Sequence, residues 1–218
     1  MLTVLCFRWG TKYRDEYVAR LKAGVTRHLA MSHRFLCVTN DPAPCETIPI
    51  DDLDLLSVRD GCYARLRAFD PKWQAKHGIE RLVWLDLDTV VTGPLDKLFD
   101  RPEPLVVLRG GHWNPCPMNG SVLMLKAGAH ADVWQRFDVD EAERISMVNN
   151  KWLGSDQTWI ARMAPDAAGW TYRDGVYSVE KPGWPGYLPK NARLVFFTGR
   201  KNDPATYRAP WIAEHWAA

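Results

Sequence analysis

Leu82-Val83-Trp84-Leu85-Asp86-Leu87-Asp88-Thr89-Val90-Val91 is an apolar run interrupted by two aspartates two positions apart. So short a run, with β-branched residues and a stop at Gly93-Pro94, reads as a buried strand of an α/β sheet. Side chains alternate across a strand, so Asp86 and Asp88 are expected to point to the same side. The strand is expected to emerge near Leu85 at the carboxyl edge of the sheet, where open α/β sheets bind ligands. Two close carboxylates repel, and burying both ionised without a cation costs roughly several kcal/mol. A hard divalent ion that takes carboxylate oxygens and keeps positions for water and phosphate fits the pair. The plain alternative is two acids on a solvated strand end.

The flanks supply the rest of the sheet. Leu2 to Phe7 reads as a first strand, followed by the loop Arg8-Trp9-Gly10-Thr11. Tyr17, Val18, Leu21, Val25 and Leu29 recur at helical spacing, with Arg14, Asp15, Arg20 and Lys22 on the other face. Phe35 to Thr39 gives a second strand, and a strand, helix, strand order implies parallel pairing. A helix capped by Ser57 or Asp60 is expected next, its core stripe formed by Cys62, Tyr63, Leu66, Phe69 and Trp73. Arg65 lies at the edge of that stripe and leans toward the sheet edge, whereas Arg67 is expected in solvent. Downstream, Leu105 to Leu108, Met118 to Leu125 and Arg193 to Thr198 read as strands, and Trp170 to Val179 as edge strands. Ser155 is expected to cap a helix that starts at Asp156-Gln157, where an aspartate ordinarily does no more than suit the helix dipole.

At 218 residues, the chain is expected to form one domain over 1–218. Its 28 basic and 26 acidic side chains leave a formal charge of +2, which gives no bulk footprint for nucleic acid or an anionic membrane. No stretch approaches the roughly 20 apolar residues of a transmembrane helix, and no secretory leader pattern opens the chain, so a cytoplasmic location is expected. Five scattered cysteines without a Cys-x-x-Cys pair argue against a disulfide framework and a zinc cage, and Cys6 and Cys37 read as small core residues.

The aspartate run fits the nucleophile motif of haloacid-dehalogenase-type phosphatases, four apolar residues followed by Asp-x-Asp-x-Thr. That resemblance implies Asp86 as nucleophile and Asp88 as general acid with magnesium between them. That family, however, carries the motif on its first strand and needs a later acidic pair. The order of features instead resembles the glycosyltransferases of the GT-A fold, in particular the glycogenin-like and galactosyltransferase-like retaining group. Tyr63-Ala64-Arg65-Leu66 resembles the helix whose arginine faces the metal site, and Leu85 to Val91 the Asp-x-Asp strand. Met118-Asn119-Gly120-Ser121-Val122 is similar to the Asn-Ser-Gly-Val strand, Ser155-Asp156-Gln157 to the Asp-Gln helix start, and Phe196 to Lys201 to the terminal strand and basic loop.

What this resemblance implies is a single Rossmann-like GT-A domain with a mostly parallel central sheet flanked by helices. It implies transfer of a sugar from a nucleoside diphosphate sugar, a UDP-sugar before others, to an acceptor hydroxyl that the sequence does not name. Mn2+ or Mg2+ would bridge Asp86, Asp88 and the diphosphate, with Arg65 and Lys201 stabilising the leaving group. Arg8, Thr11 and Lys12 would lie over base and ribose, although surface charge is the simpler account of Arg8 and Lys12. Asp156 and Gln157 would hold the donor sugar and Asn119 and Gly120 the floor beneath it. Retention is the implied outcome, and Asp156 as base is the inverting alternative. The family's third ligand, a histidine before glycine, is missing where Thr198-Gly199 stand; His215 from the tail, or water, is expected to fill the position. Trp113, Trp152 and Trp184 are candidates for acceptor stacking. A non-catalytic nucleotide-sugar-binding relative without the metal ligand is the remaining alternative.

Overall fold

The computed structural model describes residues 1–110, 116–148, 151–197 and 202–218. In chain order the strands are β1 (Leu2–Phe7), β2 (His33–Val38), β3 (Glu46–Ile48), β4 (Arg81–Leu85), β5 (Thr89–Val91) and β6 (Leu105–Arg109). They continue with β7 (Met118–Lys126), β8 (Met147–Val148), β9 (Lys151–Trp152), β10 (Ala168–Trp170), β11 (Val176–Ser178) and β12 (Leu194–Phe196). The helices are α1 (Asp15–His28), α2 (Pro71–Lys76), α3 (Asp96–Phe99), α4 (Asp132–Gln135), α5 (Val139–Ser146), α6 (Asp156–Met163) and α7 (Pro210–His215).

The main sheet has seven strands in the order β10-β6-β7-β4-β1-β2-β3. β1 pairs parallel with β2 and β4, as the strand, helix, strand reading requires. β7 alone runs antiparallel to both its neighbours, β4 and β6. The strands are apolar on both faces because both are covered. Val4, Cys6, Val83, Leu85, Val122 and Met124 face a layer containing α1 and α7. Leu5, Leu82, Trp84, Leu123 and Leu125, the alternate positions, face the layer that contains α2 and α6. All five cysteines are free thiols, with Cys6 and Cys37 in the core as expected. Among the described residues no helix is long and apolar enough to cross a membrane.

The aspartate run departs from the single strand expected of it. β4 stops at Leu85, Asp86 to Thr89 form a turn closed by the Thr89 N–H on the Asp86 carbonyl at 3.2 Å, and β5 leaves the sheet. β5 pairs antiparallel with β12, in a second sheet ordered β11-β12-β5. The two aspartates therefore belong to a turn at the carboxyl edge rather than to a strand face.

The segment expected as one helix from Ser57 is two 3₁₀ stretches, Leu53–Ser57 and Arg59–Phe69, followed by α2. Neither Ser57 nor Asp60 caps a helix; Asp70 does, accepting from the Lys72 N–H at 2.9 Å. The cause is a kink at Arg59, Asp60 and Gly61, whose φ values of 48°, 57° and 82° are all left-handed. Trp9 of the first loop sits on this kink, its indole N–H 2.6 Å from the Asp60 carbonyl, and a Cβ at Gly61 would collide with the indole. Gly61→Ala is expected to cost about 2 kcal/mol. A calorimetric melt should show it as a fall of about 4–8 °C.

Candidate active site

Four chain segments converge where β4 ends. Because β7 runs antiparallel, its first residues lie beside the last of β4: Leu85 is paired with Val122, and the Asp86 N–H donates to the Ser121 carbonyl at 2.9 Å. This register delivers Asn119 and Gly120 next to the aspartates. Arg65 arrives from the 3₁₀ segment on one face of the sheet and Asp156 from the start of α6, and Tyr13 arrives from the loop before α1.

Arg65 is the central cation. It is 8% exposed and lies 5.1 Å over the Trp84 ring. Nη1 reaches Asp86 Oδ1 at 2.5 Å and the Gly120 carbonyl at 3.3 Å, and Nη2 reaches Asp156 Oδ2 at 2.5 Å. Burial works against its charge, but Asp156 and then Asp86 more than offset this and hold its proton more tightly than usual. Position 120 packs closely on this ion pair, since a Cβ there would stand 3.2 Å from Arg65 Nη2 and 3.5 Å from Asp156 Oδ1. The indole N–H of Trp84 fixes the Gly120 carbonyl at 2.9 Å.

Asp156, 2% exposed, also accepts from the Gln157 N–H at 2.9 Å and from the Ser155 hydroxyl at 3.3 Å. Ser155 occupies the capping position without capping α6, because its hydroxyl is turned to Asp156. Burial pushes the Asp156 carboxyl up; Arg65 pulls it back and Asp86 pushes again. Gln157 spans the gap to β7, accepting from the Gly120 N–H at 3.2 Å and donating to the Leu153 carbonyl at 2.6 Å. Asn119 folds onto its own strand, its side-chain oxygen 2.8 Å from the Ser121 N–H.

Asp88 is buried, and its Oδ2 takes the Tyr13 hydroxyl at 2.5 Å. Burial and then the Asp86 charge push its carboxyl up to about 7, against the pull of the Tyr13 hydrogen bond and Lys12, while Asp203 adds to the push. Lys12 is exposed, with its ammonium 4.4 Å over the Tyr13 ring. Asp203, between the last strand and α7, accepts from Tyr17 at 2.8 Å, and the Tyr13 and Tyr17 rings are 5.1 Å apart. Tyr13, Tyr17 and Asp203 are the site residues that sequence reasoning missed. Tyr13 and Tyr17 carry the four-residue spacing of one helix face, but nothing near Asn202-Asp203-Pro204 in sequence points to them.

The expected residues divide accordingly. Arg65, Asp86, Asp88, Asn119, Gly120, Asp156 and Gln157 come together, with Lys12 at the rim. Thr11 is exposed in the same loop. The buried Arg8 turns elsewhere: it pairs with Asp15 and donates to the Pro42 carbonyl at 2.5 Å. Arg67, expected in solvent, is half-buried between Asp52 and Asp70 and lies 4.0 Å over Trp134.

His215 does not reach the aspartates. Its ring stands 6.4 Å from that of His28, at the C-terminal end of α1. Tyr13 precedes the other end, and the 14 residues of α1 span about 21 Å. The β12 residue opposite Thr89 is Phe196, which offers no ligand. Lys201 and Thr198 lie outside the described residues, as do Trp113 and the side chain of Trp152. Trp184 packs against Tyr177 and Trp211. Among the described residues no three His, Cys, Asp or Glu side chains are placed to share an ion. Asp86 and Asp88 do suit a hard cation, as two oxygen donors of which one is buried among like charges. Such an ion would fill its other positions from water and a bound phosphate.

No protein-family model matches the chain, and no curated protein matches it in sequence. Solved structures do resemble it. The galactosyltransferase LgtC, in complex with donor and acceptor sugar analogues, superposes with a TM-score of 0.62 at 13% identity, covering 98% of this chain and 94% of LgtC. A glycosyltransferase involved in glycosylating the major capsid of PBCV-1 gives 0.60 at 14% identity, covering 91% and 94%. The bifunctional glycosyltransferase WbbM gives 0.62 at 13% identity, covering 93% of this chain and 46% of its own. The chain therefore has the GT-A fold of the glycosyltransferases.

Proposed function

We propose that the chain is a metal-dependent glycosyltransferase that moves a sugar from a nucleoside diphosphate sugar, a UDP-sugar first among donors, to an acceptor hydroxyl with retention. The observation that carries this reading is Arg65 clamped between Asp86 and Asp156 beside the buried Asp88, at the edge where α/β sheets bind nucleotides. Residues 1–218 act as one nucleotide-sugar-binding unit. Asp86 and Asp88 hold Mn2+ or Mg2+, which when bound supplies Lewis-acid stabilisation of the departing diphosphate. Arg65 holds the Asp86 carboxylate in place. Gly120 and Asn119 floor the sugar pocket, and Lys12 at the rim adds positive charge on the nucleotide side.

The ion pair to Arg65 supports retention. A general base must present its carboxylate to the acceptor hydroxyl, whereas Asp156 is 2% exposed, with Oδ2 ion-paired to Arg65 and Oδ1 accepting from Gln157 and Ser155. Asp156 and Gln157 then serve to hold the donor. The phosphatase reading requires Asp86 as an attacking nucleophile, and its ion pair with Arg65 disfavours that role.

Calorimetric titration with UDP, GDP and their sugars tests the proposal. A uridine or guanosine diphosphate should bind in the presence of Mn2+ and release on chelation, with slow donor hydrolysis when no acceptor is present. Nucleotide binding indifferent to metal, or none at all, sinks the reading.

A further inference from the structure

A cavity of about 370 Å³ opens on the flank of α1, between that helix and the segment leading into α7, on the outer side of the Tyr17–Trp216 contact. Its walls include Arg20, Pro204, Tyr207, Arg208, Ile212 and Trp216. None of Asp86, Asp88, Arg65, Gly120 or Asp156 lines it.

The two guanidinium groups set its chemistry. Arg20 lies over Trp216, its central carbon 4.0 Å from the ring centroid. Stacking of this kind orders the guanidinium while leaving its N–H edge available for a planar oxyanion. Neither Arg20 nor Arg208 has a carboxylate partner among the described residues. Glu16, one turn before Arg20 and able to pair with it, does not. Two unneutralised guanidinium groups beside one concave space favour an anion, and the half-buried Tyr207 adds an aromatic wall of the sort that packs on sugar rings. The volume falls at the small end of the range of about 300–1,000 Å³ for small-molecule sites.

We propose that this cavity binds a small polyhydroxy anion of monosaccharide size, a sugar carrying one carboxylate or one phosphate. The oxyanion sits between Arg20 and Arg208, and the ring lies against Tyr207. Carboxylate and phosphate share this recognition, so the measurement separates them.

The test is titration of the whole chain, kept free of divalent ions by chelation, with glucuronate, glucose 6-phosphate and neutral glucose, followed by calorimetry or amide chemical shifts. Millimolar binding of at least one anionic sugar is expected, with glucose about tenfold weaker or silent, and the stronger anion identifies the natural group. Arg20→Gln and Arg208→Gln should each weaken binding about tenfold, whereas Asp88→Asn should leave it unchanged. Arg20→Lys should fall between, because an ammonium neither forks nor stacks in the same way. Absence of anion binding by the unaltered chain, binding that survives the double arginine variant, or equal loss in Asp88→Asn overturns the proposal. The last outcome places the sugar at the aspartate site and leaves the glycosyltransferase reading standing.

Discussion

Replacing Arg65 by methionine is expected to lower the melting temperature by about 6–20 °C at neutral pH, and to remove metal-dependent donor turnover. The size follows from burial. Arg65 and Asp156 are 8% and 2% exposed and touch at 2.5 Å, so the substitution leaves Asp156 as a buried carboxylate with no cation beside it. Breaking a buried pair in this way costs about 3–5 kcal/mol. A domain of this size loses about 2–4 °C per kcal/mol. The loss also carries a pH signature. Without Arg65, burial and Asp86 both push the Asp156 carboxyl up, with one opposing pull removed. The folded variant then holds a proton that the unfolded chain gives up. Its stability therefore declines as pH rises from the ordinary carboxylate range toward the raised folded value, and the deficit is smallest in acid. Melts of parent and variant between about pH 5 and pH 8 check this; curves that stay parallel would show that Arg65 acts only by filling space. Arg65→Lys should be intermediate, since one ammonium cannot reach Asp86 and Asp156 together in the way a guanidinium does.

How much of this site could be read from the sequence depends on how far each contact reaches along the chain. The strands were legible because burial on both faces forces near-continuous apolar runs, as in Leu2 to Phe7 and Leu105 to Leu108. Arg65 was legible because the edge of an apolar stripe is a local property of its segment. The break at Asp86 was not, because Thr89 to Val91 is apolar for the sake of β12, about a hundred residues later, and a strand that changes sheets keeps the same period. Arg67 departs from its expected place in solvent for a similar reason: besides Asp70 three residues on, Asp52 and, far along the chain, Trp134 enclose it. His215 was a plausible ligand by residue type alone, and only the position of α7 against the far end of α1 removes it. Asp203 and Tyr17 are the converse, since an acid in a turn and a tyrosine on a helix face become neighbours only through the path of the tail.

Asp88→Asn should abolish Mn2+-supported turnover and, in the ion-free protein, raise stability at high pH. The two effects share a cause. Burial and the neighbouring Asp86 push the Asp88 carboxyl from 3.8 up to about 7, with Asp203 adding to the push. Through that window the folded chain keeps a proton that the unfolded chain has released, so ion-free stability declines as pH rises and stays low above it. Asparagine does not titrate, and its oxygen can still accept from Tyr13, so the variant escapes this decline. Chelated melts should diverge progressively from about pH 4 to pH 7, the variant being the more stable at the upper end. Added Mn2+ should reverse the order, since a divalent ion neutralises Asp86 and Asp88 in the parent, while the variant lacks the second carboxylate. Below about 7 the ion must displace a proton from Asp88, so Mn2+ affinity should fall about tenfold per pH unit there and level off above. Tyr13 donates to the ionised carboxylate and holds its pKa down, so Tyr13→Phe should move that break to higher pH. A Mn2+ affinity flat across pH 5 to 8 would mean that Asp88 is not the carboxylate the ion needs. The stability forgone at the aspartate turn is thus the measure of its preparation for a cation: a carboxylate pair this unfavourable without an ion binds one all the more strongly.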